Sequence, residues 1–274
     1  MTLEHYDTPS IGWQQRLRPW RALPRLLVSR EWRWLTLGAL ALAFLLIQLG
    51  NWQLDRREQR RTRNALVEAR INAAPVALTG QPLNPAAEEF RRVTVRGEYD
   101  PANEIVLRNR AFNGIPGMDI LTPLRIAGSD QSVLINRGWV PMEQAEQTRR
   151  AQFAVSGPVE IEGIVRQPQL RSGGISPEDR RSEGGRLDAW FRVDTARISE
   201  QVPYPLLPLY IEQLPRPDQP DLPKPHPDID TTTEGPHLGY ALQWYSFAAI
   251  GLCGYAAFVV TRSQQADARQ QAQR

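Results

Sequence analysis

Two long uncharged stretches dominate the hydrophobic pattern of the chain. They cover residues 34–54 and residues 238–261, which are 21 and 24 residues long. At about 1.5 Å of rise per residue, a helix of either length spans the hydrocarbon core of a bilayer. The pattern therefore predicts two transmembrane helices, and we expect a membrane protein rather than a purely soluble one.

Between these stretches the pattern changes from helical to alternating. Residues 55–72 contain helix formers without Gly or Pro, so the first helix is predicted to continue beyond the bilayer. Apolar and polar residues alternate from Phe90 to Tyr99, and a turn sequence at 100–103 leads to a second strand at 104–108. We expect these two strands to form an antiparallel hairpin. Further strands are predicted at 120–126, 132–140, 159–166, 190–193 and 206–213.

Six or seven short strands predict the fold class: two transmembrane helices bracketing a mainly antiparallel β (α+β) extramembrane domain or small barrel. A helical pattern at 143–153 and a Gly/Ser/Arg-rich loop at 171–186, expected to be mobile, separate some of the strands. The predicted organisation is a cytoplasmic N-terminal segment 1–33, transmembrane helix 34–54, periplasmic mainly β domain 55–213, Pro-rich acidic linker 214–236, transmembrane helix 237–261 and cytoplasmic tail 262–274.

Charges flanking the second stretch predict the orientation. Arg262, Arg269 and Arg274 follow it, whereas an acid-rich linker precedes it, and cytoplasmic flanks carry the excess of Arg and Lys. Both termini are therefore predicted to be cytoplasmic, with the middle of the chain in the periplasm of a multi-pass cell inner-membrane protein. A cleaved signal peptide does not fit the long leader, which lacks a small-residue cleavage pattern. A mitochondrial presequence fits less well than an anchor, because Glu4 and Asp7 interrupt it.

The composition limits the partners and the kinds of reaction that we expect for this protein. With 33 basic and 30 acidic residues the net charge is only +3, so we expect no nucleic-acid partner. The single cysteine, Cys253, excludes an intrachain disulfide and a thiol redox pair. The three histidines, His5, His226 and His237, are far apart, and no catalytic triad or phosphate-binding loop is present. We expect no enzyme activity, and His226 is predicted to be exposed in the Pro-rich linker.

His237 directly precedes the second stretch and shares a predicted helix face with Trp244, seven residues further on. The same face carries Ala241, Ala248, Gly251 and Tyr255. One interpretation makes His237 and Trp244 interface anchors, with the small residues packing against Ala39 and Ala43 of the first helix. The other makes this face a binding strip for a flat iron-bearing cofactor, with His237 as axial ligand. The helix dipole disfavours imidazolium and so helps to keep such a ligand neutral.

Six strings stand in a fixed order between about residues 49 and 260. They are Leu49-Gly50-Asn51-Trp52-Gln53 with Arg56-Arg57, Phe90-Arg91-Arg92-Val93 with Gly97, residues 133–141 (VLINRGWVP), Gly163-Ile164-Val165-Arg166, Trp190-Phe191-Arg192-Val193-Asp194 and residues 237–244 (HLGYALQW). In this order, and with two spans bracketing the β domain, they resemble the Surfeit locus protein 1 family of cytochrome c oxidase assembly factors. Taken singly, Arg137 is expected to be a solvated neighbour of a strand end, and Arg91 and Arg92 an edge-strand charge pair.

The resemblance implies a non-enzymatic factor that helps to mature the haem-containing subunit I of cytochrome c oxidase. Its implied partners are subunit I, other assembly factors and the lipid bilayer. Bacterial relatives are associated with haem a, and the family's membrane histidine and tryptophan match His237 and Trp244, which implies transient haem a binding with His237 as axial ligand. Gly235-Pro236 stands where many relatives have a polar residue before this histidine, a departure that bears on the entry angle of the helix and on any hydrogen bond that orients the imidazole. The alternative is a purely structural membrane scaffold without direct haem binding.

Overall fold

The structure is a computed structural model that describes residues 20–81, 83–170, 179, 185–217, 219–226, 229 and 231–274. The chain divides into two compact units. The helical unit comprises Met1–Arg63 and Thr233–Arg274, and the barrel unit comprises Asn64–Thr232. Residues 1–19 of the predicted N-terminal segment, and most of the predicted loop at 171–186, lie outside the described residues.

The described helices and strands follow the predicted change from helical to alternating pattern. The helices are α1 (Leu23–Leu27), α2 (Arg33–Ile71), α3 (Pro85–Glu88), α4 (Gln147–Arg150), α5 (Thr195–Ser199) and α6 (His237–Ala272). The strands are β1 (Val76–Ala77), β2 (Arg92–Tyr99), β3 (Ile105–Phe112), β4 (Ile115–Ile126), β5 (Ser132–Pro141), β6 (Pro158–Arg166), β7 (Ala189–Trp190) and β8 (Leu206–Gln213). Short 3-10 turns at Pro101–Asn103, Met142–Gln144 and Ala151–Phe153 complete them. The predicted helical region at 143–153 is a 3-10 turn followed by the short helix α4, which continues directly into a second 3-10 turn.

The two long helices are long and apolar enough to cross a membrane. The predicted continuation of the first helix beyond residue 54 is confirmed, since α2 ends at Ile71. Only 11% of the most apolar window of α2 and 17% of that of α6 are buried. A soluble protein buries the apolar face of such helices, so this exposure favours helices that face lipid.

Small residues line the contact between α2 and α6 within the helical unit. Ala43 and Gly50 of α2 are buried, as are Ala241 and Ala248 of α6, so each helix carries two buried small residues seven positions apart. Residues of this size let two helix backbones approach closely. At one end of the contact, the Oγ1 atom of Thr36 and the hydroxyl of Tyr255 are 2.6 Å apart. Ala43, Ala241 and Ala248 are therefore buried and Ala39 is half-buried, while the packing of these small residues on one another stays a prediction.

Five strands of the barrel unit close into a barrel. β2 pairs with β6 along one edge and with β4 at the end of its other edge, and β8 and β5 complete the ring. β5 and β8 run parallel, whereas the other neighbours in the ring are antiparallel. The order of the strands around the ring is β2, β4, β5, β8 and β6. If these five strands are counted along the chain, the order is first, second, third, fifth and fourth, which is that of the Greek-key barrels called OB-folds. β3 and β7 extend the sheet beyond β4.

The predicted hairpin between β2 and β3 is wrong. β2 pairs with β1, β4 and β6, while β3 pairs with β4 and β7. The cause is the corner between the two strands, where the carboxylate of Asp100 accepts hydrogen bonds from Asn103, Arg125 and Tyr204. This corner directs the chain away from β2. The expectation that Arg92 lies on an edge strand is therefore wrong. Its guanidinium pairs with Glu162 of the neighbouring strand β6.

Apolar side chains from each strand of the ring fill the barrel. The buried members of this core are Val93, Val95, Leu124, Ile126, Val133, Ile135, Ile161, Val165, Leu207, Leu209 and Ile211. They follow the alternation that predicted the strands, as in β2, where Val93 and Val95 are buried and Arg96 is exposed. A second cluster packs on the β3 and β7 side around the fully buried Trp190.

Candidate functional site

The start of α6 presents His237 at the first helical position. Gly235 has φ +73°, a left-handed conformation that favours glycine, and Pro236 occupies the N-cap position. A Cβ atom at position 235 would lie 3.4 Å from Cδ2 and 3.5 Å from Nε2 of His237. A side chain at position 235 would therefore contact this edge of the imidazole ring, which glycine avoids.

Gln53 of α2 holds the other edge of the ring. The Nδ1 atom of His237 lies 2.8 Å from the Oε1 atom of Gln53. When Nδ1 carries the proton and donates it to this oxygen, the lone pair of the neutral imidazole is on Nε2. Gln53 thus supplies the orienting partner that the Gly235-Pro236 pair lacks. The half-buried His237 has the form of a metal ligand whose second nitrogen is already hydrogen-bonded.

Two residues that precede Gln53 on α2, Gly50 and Asn51, explain why Gln53 meets His237. The ring of Tyr245 packs over Gly50, where an added Cβ atom would lie 2.5 Å from the ring. The hydroxyl of Tyr245 donates a hydrogen bond of 2.7 Å to Oδ1 of Asn51. The Gly50-Asn51-Trp52-Gln53 string therefore fixes the register of α6 against α2.

One carboxylate near the start of α6 joins two arginines of α2. Glu234 Oε2 lies 2.6 Å from Nε of Arg57, and Glu234 Oε1 lies 3.0 Å from Nε of Arg61. Gln53, Arg57 and Arg61 are spaced four residues apart and so follow one face of α2. A hydrogen-bonding amide and two guanidinium groups thus stand in a row that begins at His237.

Trp244 lies on α6 two helical turns beyond His237, at about 10 Å along the helix axis. Its half-buried indole makes an edge-on contact with Phe247, with ring centroids 6.1 Å apart. In the part of the chain that the structure describes, no three His, Cys, Asp or Glu side chains cluster to hold a metal ion. His237 could act as a protein ligand of an iron that brings its other ligands with it, as the iron of a porphyrin does.

His226 is not exposed as predicted. It belongs to a segment whose Lys224 pairs with Trp139 of β5 through hydrogen bonds of 2.7 and 2.8 Å. Its Nε2 atom lies 2.8 Å from Oδ2 of the buried Asp119, which Asn136 also contacts. The hydrogen bond to Asp119 raises the pKa of His226 above its ordinary value, although burial opposes the shift. His226 thus docks the Pro-rich segment on the barrel unit.

Arg137 is not solvated as predicted but buried, because a bulge in β5 turns it inward. Between β4 and β5 the register shifts at this residue, and Gly138 adopts φ +118°. The guanidinium of Arg137 lies 3.4 Å from the carboxylate of Glu104 and donates a bond of 2.6 Å to the carbonyl of Phe153. Burial raises the pKa of Glu104, and the nearby Arg137 and Arg150 oppose this shift. The cluster is a buried ion network within the barrel unit.

Sequence reasoning found His237 and Trp244 but not the partners Gln53 and Glu234. Gln53 is 184 residues from His237 in the chain, so no local pattern connects them. One signal was available: Gln53 closes the string that ends the first apolar stretch, and His237 opens the second stretch. In a pair of antiparallel helices these positions fall at the same level.

Comparison with known proteins gives a family-level result. The family model described as SURF1 family matches residues 40–249. A SURF1-like protein of Monosiga brevicollis is 29% identical over 214 residues, which cover 74% of this chain and 79% of that protein. Surfeit locus protein 1 of Arabidopsis thaliana is 28% identical, with 73% and 71% covered, and that of Homo sapiens is 26% identical, with 73% and 69% covered. The chain therefore belongs to the SURF1 family.

Proposed function

We propose that this protein is a non-enzymatic assembly factor of cytochrome c oxidase that binds haem a transiently and assists its insertion into subunit I. Haem a is here cargo to be handed on. The observation that carries the proposal is the hydrogen bond between His237 Nδ1 and Gln53 Oε1. When Nδ1 donates this bond, Nε2 is the ring nitrogen that can bind iron, and hydrogen bonding at Nδ1 orients such a ligand.

The residues around His237 suit a bound porphyrin that must later leave. Gly235 places no side chain of its own against the Nε2 edge of the ring, where an added Cβ atom would lie 3.5 Å from Nε2. Trp244, two turns further on, offers an aromatic face to an apolar macrocycle. A single protein ligand holds iron less firmly than a pair of axial ligands, which fits transfer to another protein.

The proposed location is the cell inner membrane, with both termini in the cytoplasm and the barrel unit in the periplasm. Asp130 is exposed in the turn between β4 and β5, so D130C in a C253S background gives one accessible thiol. We expect an impermeant maleimide to label it in intact spheroplasts. R274C in the same background is the control and should react only after lysis, whereas the reverse pattern would contradict this orientation.

The second candidate is a structural scaffold for oxidase assembly that binds no haem. The contacts that favour it are those joining α2 to α6, since the bond between Gln53 and His237 also ties two helices together. In that function His237 binds no iron, and its loss affects only the helix pair. The two candidates differ in whether the purified protein carries haem.

Oxidase composition in a deletion strain tests the assembly function itself. We expect the deletion to lower haem a content per oxidase while leaving quinol oxidases without haem a at full activity. Re-expression of the wild-type protein should restore the haem a content. An oxidase with full haem a content in the deletion strain would contradict the proposal.

A further inference from the structure

Glu234 occupies a site built for a carboxylate. Each of its two oxygens meets the Nε atom of a different arginine, at 2.6 Å for Arg57 and 3.0 Å for Arg61. Guanidinium groups bind carboxylates through such charge-assisted hydrogen bonds. Two arginines one helical turn apart therefore share a single negative group at the start of α6.

An arginine directly beside this pair on α2 is turned to different partners. Arg56 lies over the ring of Trp52 and donates to Gln59. Arg57 and Arg61 are thus two arginines of the sequence after the apolar stretch whose guanidinium groups meet Glu234 at the start of α6. Both follow Gln53 at four-residue steps, so they stand about 6 and 12 Å along the axis from the residue that holds His237.

We propose that Arg57 and Arg61 form the binding site for the propionate groups of haem, and that Glu234 fills this site as an internal carboxylate until haem arrives. The proposal rests on haem binding by His237. A haem has its propionates on one edge, away from the iron. With the iron at His237, which contacts Gln53, the propionates would lie further along the Gln53 face of α2, at Arg57 and Arg61.

Displacement of Glu234 costs little because the ion pairs are open to water. The side chains of Arg57 and Glu234 are 29% and 35% exposed, and that of Arg61 is 53% exposed. Ion pairs with this exposure contribute little to stability. A propionate can therefore replace the Glu234 carboxylate at an unchanged number of ion pairs, while the freed carboxylate returns to water.

Titration of the full-length protein in detergent with haemin and with haemin dimethyl ester tests this site. The ester keeps the iron and the macrocycle but has no carboxylate. We expect the wild type to bind haemin more tightly than the ester. E234Q should bind haemin about tenfold more tightly than the wild type and leave the affinity for the ester unchanged. The R57Q/R61Q variant should bind the two porphyrins equally.

E58Q is the matched control. Glu58 also lies on α2 and pairs with Arg61 at 3.8 Å, so this variant removes the same charge without freeing Arg57. We expect it to bind both porphyrins as the wild type does, and circular dichroism should show every variant folded. Equal effects of E234Q on haemin and the ester, or none on haemin, would overturn the propionate site alone. A wild type that binds neither porphyrin would overturn haem binding itself, and with it this proposal.

Discussion

The Nδ1 atom of His237 and the Oε1 atom of Gln53 lie 2.8 Å apart, which joins the first residue of α6 to the middle of α2. Through this bond a string in the first half of the chain orients the candidate ligand in the second half. Around it, Tyr245 packs on Gly50 and Glu234 pairs with Arg57. The site is therefore a property of the helix pair and not of α6 alone.

Loss of the Gln53 amide should weaken haem binding without abolishing it. In Q53A the imidazole loses its orienting partner, and hydrogen-bond partners of metal ligands are typically worth about 10- to 100-fold in affinity. Haemin titration followed at the Soret band measures the change. Q59A, at an exposed position of the same helix, is the control. If Q53A bound haemin with the affinity of the wild type, Gln53 would not be part of the haem-binding site.

Substitution of Gly50 should disrupt the helix pair. In G50A the new methyl group would lie 2.5 Å from the Tyr245 ring, so that ring must move, and overpacking of this kind costs about 1–3 kcal/mol. G38A is the matched control, because a Cβ atom there has nothing within 4 Å and alanine favours the helix. Thermal unfolding in detergent should show a lower midpoint for G50A only. Equal midpoints for the two variants would contradict the packing of Tyr245 on Gly50.

The buried ion network predicts a large difference between two arginines of the barrel unit. Arg137 and Glu104 have side chains that are each 7% exposed, whereas Arg96 and Glu160 are 73% and 55% exposed. R137A removes one of the two arginines that face the buried Glu104 carboxylate, and breaking such a buried pair should cost up to about 3–5 kcal/mol. R96A should change the free energy of unfolding by less than about 1 kcal/mol. Denaturant unfolding of both variants checks this, and similar losses would show that Arg137 is not buried as described.

Docking of the Pro-rich segment should weaken as the pH rises. Asp119 raises the pKa of His226 in the folded protein, so the stabilisation is complete below the ordinary histidine pKa. It is lost as the pH rises through the raised value. We expect the unfolding midpoint to fall by about 2–4 °C for each kcal/mol lost, between mildly acidic and mildly basic pH. H226Q should lack this pH-dependent stabilisation. An identical pH profile of the unfolding midpoint for H226Q and the wild type would show that the pair of His226 and Asp119 does not contribute to it.

Local pattern predicted the elements but not their pairing. Strand β8 has the predicted bounds, and β5 and β6 differ from theirs by one residue, because alternation marks one buried face directly in the sequence. The pairing of β2 depends on closure of the barrel and on the Asp100 corner, which brings together Asn103, Arg125 and Tyr204. Proximity along the chain favoured a hairpin, and the contacts that decide against it come from residues far apart in sequence.

The candidate site was likewise predicted only in part from the sequence. His237 and Trp244 are seven residues apart on one helix, so helical periodicity alone places them on one face. Gln53 and Glu234 contribute through contacts between α2 and α6. The docking of His226 on Asp119 likewise joins residues 107 positions apart. A Pro-rich sequence by itself indicates an extended chain, and it does not indicate which surface that chain lies on.

The haem content of H237A tests the central proposal most directly. Wild type, H237A and W244A are purified at matched expression from cells that make haem a, and haem stoichiometry and Soret spectrum are measured. Circular dichroism and membrane fractionation establish that each variant is folded and inserted. We expect the wild type to carry haem, W244A to carry less, and H237A to carry little or none. An H237A protein with the spectrum and stoichiometry of the wild type would contradict the assignment of His237 as the iron ligand.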